Sequence, residues 1–211
     1  MSGRLASLGA GGHGRVIADC AERLGWSEIA FFDDNPNAEK PGPWELAGTG
    51  ADLLASVADF EAFIVGIGIN CIRLERQQAL VAEGGTTATL IHPAATVSRH
   101  AAIGAGSVVF AGAVVNVGAV VGQACILNTG CGIDHDDHLA DGVHVSPGAH
   151  LGGGVSVGEA SWIGLGASVR EGISIGRDVR VGAGAVVVRN IADGLTVVGN
   201  PAQDMKRSPD A

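Results

Sequence analysis

Residues 134–138 read Asp134-His135-Asp136-Asp137-His138, three carboxylates and two imidazoles at successive positions. An imidazole takes up and gives back a proton near neutral pH, and a carboxylate on one ring nitrogen sets the tautomer and makes the other nitrogen more basic. His135 is therefore a candidate general base and Asp136 its partner, provided the turn curls that carboxylate back onto the ring. The same residues also read as a solvated acidic turn. They are metal ligands in type too, although adjacent residues rarely converge on one ion. Upstream, Gly9-Ala10-Gly11-Gly12-His13-Gly14 stands between an apolar strand and a helical pattern, a setting in which backbone amides and the helix dipole hold phosphate. Asp33 and Asp34 follow about 20 residues later, where a carboxylate can meet ribose hydroxyls. Gly66-Ile67-Gly68-Ile69-Asn70 forms a second flexible edge, so Gly11, Gly12, Asp33, Asp34 and Gly68 outline a nucleotide-binding crevice.

The elements that must position these groups follow two grammars. Residues 1–85 alternate short apolar strands (Arg4–Ala10, Ile29–Phe32, Phe63–Ile67) with helical spacing (Val16–Leu24, Asp52–Ser56, Cys71–Glu83), which predicts a small Rossmann-like βαβ domain. From residue 91 every sixth residue is Ile, Leu or Val, from Ile91 through Ile133 to Val187, seventeen positions with no slip in register. A six-residue period predicts three short strands and three turns per 18-residue coil, a parallel β-helix over 91–190 with a tail over 191–211. Period alone does not give its hand, and general crossover rules favour right.

Coil arithmetic adds geometry. His144 lies half a coil beyond His135 and so points elsewhere around the triangle within one chain. Trp162 comes 18 residues after His144 and is expected to stack above it. Gly153 comes 18 after His135 and is expected to lay bare backbone over that imidazole, where an N–H can receive a thioester oxygen.

Composition narrows the class. The 211 residues carry 34 Gly, no Tyr and 4% aromatics, as suits a repetitive interior of small aliphatic groups. A net charge of −9 gives no field for nucleic acid or anionic lipid, although Arg170, Arg177, Arg180 and Arg189 form a local basic excess. No apolar segment of signal-peptide or membrane-spanning length occurs, so a cytoplasmic protein without membrane insertion is expected. Cys20, Cys71, Cys125 and Cys131 lack metal-site spacing and read as reduced packing thiols. Cys71 and His92 are given no chemical role.

The order G-x-G-G-H-G (9–14), Phe-Phe-Asp-Asp (31–34), Gly-Ile-Gly-x-Asn (66–70), Ile-His-Pro (91–93), Asn-Thr (128–129), Ile-Asp-His-Asp (133–136), His-Val-Ser (144–146) and Gly-Asn-Pro-Ala (199–202) resembles the hexapeptide-repeat sugar acyltransferases. These include the sialic-acid O-acetyltransferase and the bacterial nucleotide-linked 4-amino-sugar N-acetyltransferases. The resemblance implies a left-handed β-helix, a homotrimer with active sites between subunits, acetyl-CoA as co-substrate without a metal, and a role in polysaccharide biosynthesis. It implies His135 as base with Asp136 beside it, and Asp in place of the family's frequent Glu is a shorter reach. It implies His144, Gly153, Leu165 and Ala183 along the CoA groove. His13 joins the nucleotide-sugar contacts, and Asn128 lies near the sugar. The acceptor is implied to be the amine of a UDP- or GDP-linked 4-amino-4,6-dideoxy sugar. Alternatives are a hydroxyl acceptor, a zinc enzyme using His135, His138 and His144, or a non-catalytic nucleotide-sugar binder.

Overall fold

The computed structural model describes residues 3–35, 37, 38 and 40–205. The N-terminal unit is a four-stranded parallel sheet in the order β3-β2-β1-β4, made of β1 (Arg4–Leu8), β2 (Glu28–Phe32), β3 (Glu45–Gly48) and β4 (Ala62–Val65). Helix α1 (Gly12–Arg23) links β1 to β2, and α2 (Gly50–Ser56) follows β3. Thr49 and Asp52 close a reciprocal cap at the start of α2, satisfying two otherwise unpaired amides. Strand β3 was not anticipated. Its sequence, Glu45-Leu46-Ala47-Gly48, is four residues long with none fully buried, too little to show period-two alternation, as expected of a sheet edge. Helix α3 (Asn70–Ala82) then leads into the coils.

Seventeen two-residue strands follow, from Leu90–Ile91 to Val186–Val187, each ending on one of the seventeen aliphatic positions. They stack as three parallel sheets, the walls of a left-handed triangular prism. Face I presents Leu90, Val108, Ile126, His144, Trp162 and Arg180 outward; face II presents Thr96, Val114, Gly132, His150, Ser168 and Val186; face III presents Ala102, Val120, His138, Ser156 and Ser174. The aliphatic positions from Val109 onward are buried, and each such side chain contributes about 1.5–3 kcal/mol. Ile91, Val97 and Ile103 of the first coil are only half-buried, because no coil lies beneath them. The tail expected from residue 191 is ordered structure as far as Met205. Thr196–Val198 pairs in parallel with Arg180–Val181, and Gln203–Asp204 returns antiparallel on it. Residues 206–211 lie outside the described residues.

The two units are joined along face I and the edge between faces III and I. Ile17, Ala18 and Ala21 of α1 share a core with Leu90, Val108, Phe110 and Ile126. Along the edge, α3 lays three polar side chains at i, i+3 and i+7 against corner carbonyls of successive coils. Gln77 donates to Ala105 O (3.0 Å), Arg73 to Ala124 O (2.7 Å) and Gly142 O (2.8 Å), and Asn70 to Ala160 O (2.9 Å). Arg73 is 2% exposed and also donates to Ile67 O and to Asn70 Oδ1. Its guanidinium has only neutral acceptors around it, and burial lowers its pKa to about 10, leaving it charged at neutral pH. Replacing Arg73 with Met strands these carbonyls in the junction. Denaturant unfolding of Arg73→Met should show a loss of about 3 kcal/mol or more, whereas an exposed pair such as Arg4–Glu28 should contribute under about 1 kcal/mol.

Candidate active site

The turn carrying His135 sits on the edge between faces II and III. At the equivalent position of neighbouring coils stand Gly118, Gly154 and Gly172, all with positive φ. Here the residue is Asp136, at φ 60°, a conformation that costs a non-glycine residue on the order of 1 kcal/mol. It is what turns the carboxylate back: His135 Nδ1 lies 2.9 Å from Asp136 Oδ2. A ring N–H at Nδ1 donating to the carboxylate leaves Nε2 as the basic atom. The Asp136 hydrogen bond holds the His135 pKa above the usual histidine value. Asp134 orders the turn from the other side, its Oδ1 accepting from His135 N (2.7 Å) and Asn116 Nδ2 (2.9 Å).

Asp137 does not behave as part of a solvated acidic turn. Its side chain points into the prism and is fully buried, with Oδ2 accepting from Asp134 N and Oδ1 from Val155 N, both at 2.8 Å. Burial pushes its pKa up to about 6. Sequence reasoning did not separate it from its exposed neighbours. The signal was its place two residues before the aliphatic Leu139, the column that holds Ala119 and Val155 in adjacent coils.

His144 lies on face I, opposite the edge that carries His135. Its ring stacks on Trp162 at 5.3 Å and 9°, and approaches His13 at 6.3 Å. His13, at the start of α1, also meets Phe110 edge-on at 5.6 Å. Asn128 Oδ1 accepts from Thr129 N, which turns its amide toward His144 Nε2 at 3.2 Å. His144 Nε2 is then the acceptor, and among the described residues neither the buried Nδ1–H of His144 nor His13 Nε2 has a partner. Burial, with the Arg73 charge behind it, lowers the pKa of His13 to about 4 and of His144 to about 3, so both rings are neutral.

The expected CoA-contacting residues fall into two groups. His144, Leu165 and Ala183 line one open cleft of about 460 Å³ with Trp162, Pro147 and Arg180. Its lining is largely apolar, and Leu165 stands 57% exposed in it. Gly153 belongs to the far edge, directly above His135, where a Cβ would collide with the imidazole at Nε2. Gly68 lines a second, smaller cleft with Asn70, Cys71, Trp162 and Arg180, so Trp162 and Arg180 are a wall shared by both. Cys71 is exposed there and not a packing thiol, unlike Cys20, Cys125 and Cys131.

Gly11 caps α1 and Gly12 opens it; both are exposed, and a Cβ at either would meet open space, leaving the helix N-terminus accessible. Asp33 accepts from Ala10 N (2.7 Å) and Asn35 N (2.8 Å), and Asp34 accepts from Gly50 N (2.7 Å) and faces Arg76 (3.2 Å). Both carboxylates thus shape the crevice first, with lone pairs to spare for a ligand. Within one chain His144 lies on a different wall from His135 and His138. Among the described residues no group of three His, Cys, Asp or Glu side chains is arranged to hold a metal ion.

The fold that carries this arrangement, an imidazole–carboxylate pair on a coil edge and a Gly-rich helix start over face I, is shared with known proteins. The profile of the PglD N-terminal domain matches residues 4–80. The acetyltransferase domain of PglB from Neisseria gonorrhoeae FA1090 is 45% identical over 96% of this chain and 99% of its own, with a TM-score of 0.91. The chain belongs to this family of sugar acetyltransferases. Another member, PerB from Caulobacter crescentus, was solved with CoA and GDP-perosamine; it is 34% identical over 96% of this chain and 97% of its own, TM-score 0.91. The UDP-N-acetylbacillosamine N-acetyltransferase of Bacillus subtilis (strain 168) is 38% identical over 109 residues, half the length of each protein.

For a family member of this geometry, Gly153→Ala is an informative lesion. The added methyl meets the movable end of an exposed side chain, so the fold should be kept while Nε2 is displaced. Steady-state kinetics should show kcat lowered roughly 10- to 100-fold, with the thermal unfolding midpoint close to that of the unmodified protein.

Proposed function

We propose that the protein transfers the acetyl group of acetyl-CoA to the amine of a nucleotide-linked 4-amino-4,6-dideoxy sugar, with His135 as general base. The observation that carries this reading is the His135–Asp136 pair, whose basic Nε2 faces outward beneath Gly153. In the direct mechanism the neutral sugar amine attacks the thioester carbon and Nε2 removes its proton as the C–N bond forms. Asp136 keeps the tautomer and steadies the imidazolium that results. The Gly153 N–H is the backbone donor available to the oxyanion. An amine is already a good nucleophile, so the base contributes less than it would toward a hydroxyl.

His13, Asn128, Gly11, Gly12 and Gly68, with Asp33 and Asp34, border the crevice in which we place the nucleotide sugar. The face I cleft with His144, Leu165 and Ala183 is where we place the pantetheine arm. One chain holds that cleft and its base on opposite sides of the prism. We therefore infer a homotrimer in which the His135 edge of one subunit faces the His144 wall of the next. Val114, Val117 and Val120, each more than one-third exposed, surround the coil beneath His135 and suit burial in that contact. PglB solved with acetyl coenzyme A and PerB solved with CoA and GDP-perosamine support both ligand classes. A cytoplasmic location, where acetyl-CoA and nucleotide sugars are available, fits this chemistry.

Thiol release from acetyl-CoA, measured against a panel of UDP- and GDP-linked 4-amino sugars, tests the proposal. Turnover with at least one acceptor, abolished in His135→Ala, is expected; silence with amines and turnover with hydroxyl acceptors would overturn it. The pH profile adds a directional test. His135 must be neutral to act, so kcat/KM should fall as pH drops through a value above 6.5. Asp136→Asn removes the group that raises that value, and the acidic limb should move to lower pH.

A further inference from the structure

The regular coil gives each residue at the position of Asp134 a place in the ladder. One coil below, Asn116 N donates to Ile133 O, and one coil above, Gly152 N donates to Val169 O. Asp134 N should by the same rule donate to Leu151 O. Instead it donates to the buried carboxylate of Asp137, and the pairing of this coil with the next is confined to Gly132 and His150. One ladder bond of this turn is thus redirected inward, while Asp136 N still donates to Val117 O below and Gly154 N to His135 O above.

We propose that Asp137 is a positioning residue for the acetyl transfer, a buried clamp that draws Asp134 inward and thereby sets the orientation of the His135–Asp136 pair. This rests on His135 being the base. Asp137 touches neither substrate; it acts through Asp134, whose own carboxylate holds the His135 amide at 2.7 Å. The protein supplies its own control for a purely structural role. Ser107 and Ser161 occupy the same inward position in other corners, and each hydroxyl accepts the amide 18 residues on, Cys125 N and Val179 N, as Asp137 accepts Val155 N. Neither serine takes the amide three residues before it. A single hydroxyl satisfies the next coil; only the second oxygen of Asp137 reaches back to the turn. The charge is costly to bury, and the rise of its pKa to about 6 reports that cost.

The test is Asp137→Ser beside Asp137→Ala. The serine should still accept Val155 N, so its thermal unfolding midpoint should stay near wild type, while Ala should melt lower. Both should lower kcat roughly 10- to 100-fold with KM for either substrate within about twofold. Losing the Asp137 charge lowers the His135 imidazole pKa by itself, so the NMR readout is the effect of Asp136: Asp136→Asn should lower the His135 pKa in the otherwise unmodified protein and lower it much less in Asp137→Ser, where the hydrogen bond is already loosened. Wild-type kcat in Asp137→Ser and an Asp136→Asn shift of the same size in both backgrounds, with His135→Ala inactive, would overturn the clamp and leave the function standing. If wild type released no thiol, the function would fall instead, and the NMR titration would still decide the clamp.

Discussion

Everything in this molecule that resembles a site depends on one constraint: six residues per strand and turn, held without an insertion for seventeen strands. Because each coil is 18 residues, any residue lies over the one 18 earlier, and side-chain chemistry is organised in vertical columns. His144, Trp162 and Arg180 form one such column, and Val117, His135 and Gly153 another. The aliphatic core rewards the register at every level, so a column cannot drift without exposing apolar surface. The same regularity makes departures costly, and two of them meet at one turn. Asp136 takes a backbone conformation that Gly118, Gly154 and Gly172 adopt in its column, and Asp137 buries a carboxylate where the adjacent coils bury Ala119 and Val155.

A second physical theme is the junction. The helix α3 does not reach the prism through apolar packing alone; Gln77, Arg73 and Asn70 supply donors to corner carbonyls of successive coils. The buried guanidinium places a positive charge behind His13 and His144, and with burial it holds both rings neutral. That charge is also near the open N-terminus of α1, so the crevice combines a neutral hydrogen-bonding floor with a field favourable to a phosphorylated ligand. The proposed base lies on the opposite edge, where an exposed carboxylate shifts the imidazole the other way. Two environments within one chain thus prepare histidines for different work.

The sequence made the columns legible because the period is local and every inward residue obeys it. It also gave the stacking of Trp162 on His144 and the bare backbone of Gly153 over His135, since both follow from adding 18. Strand β3 was hidden, because an edge strand of four residues has too little burial to impose a pattern. The clamp at Asp137 was hidden within a run of acids, where composition suggested solvent and only the column position told otherwise. Nothing in the helical spacing over Cys71–Glu83 marks Arg73 and Gln77; that their face is covered depends on tertiary contacts with coils up to 69 residues away, which no local pattern encodes.

The central claim is that one subunit supplies His135 and its neighbour supplies the His144 wall. Mixed assembly tests it directly. His135→Ala and His144→Ala copies, each expected to be inactive alone, are co-expressed in equal amounts and the mixed oligomers assayed for acetyl transfer. If the site lies between subunits, random trimers regain intact sites at about one in four, and activity returns to roughly a quarter of wild type. If both histidines must come from the same chain, no mixture restores activity, and the account of the site would be wrong.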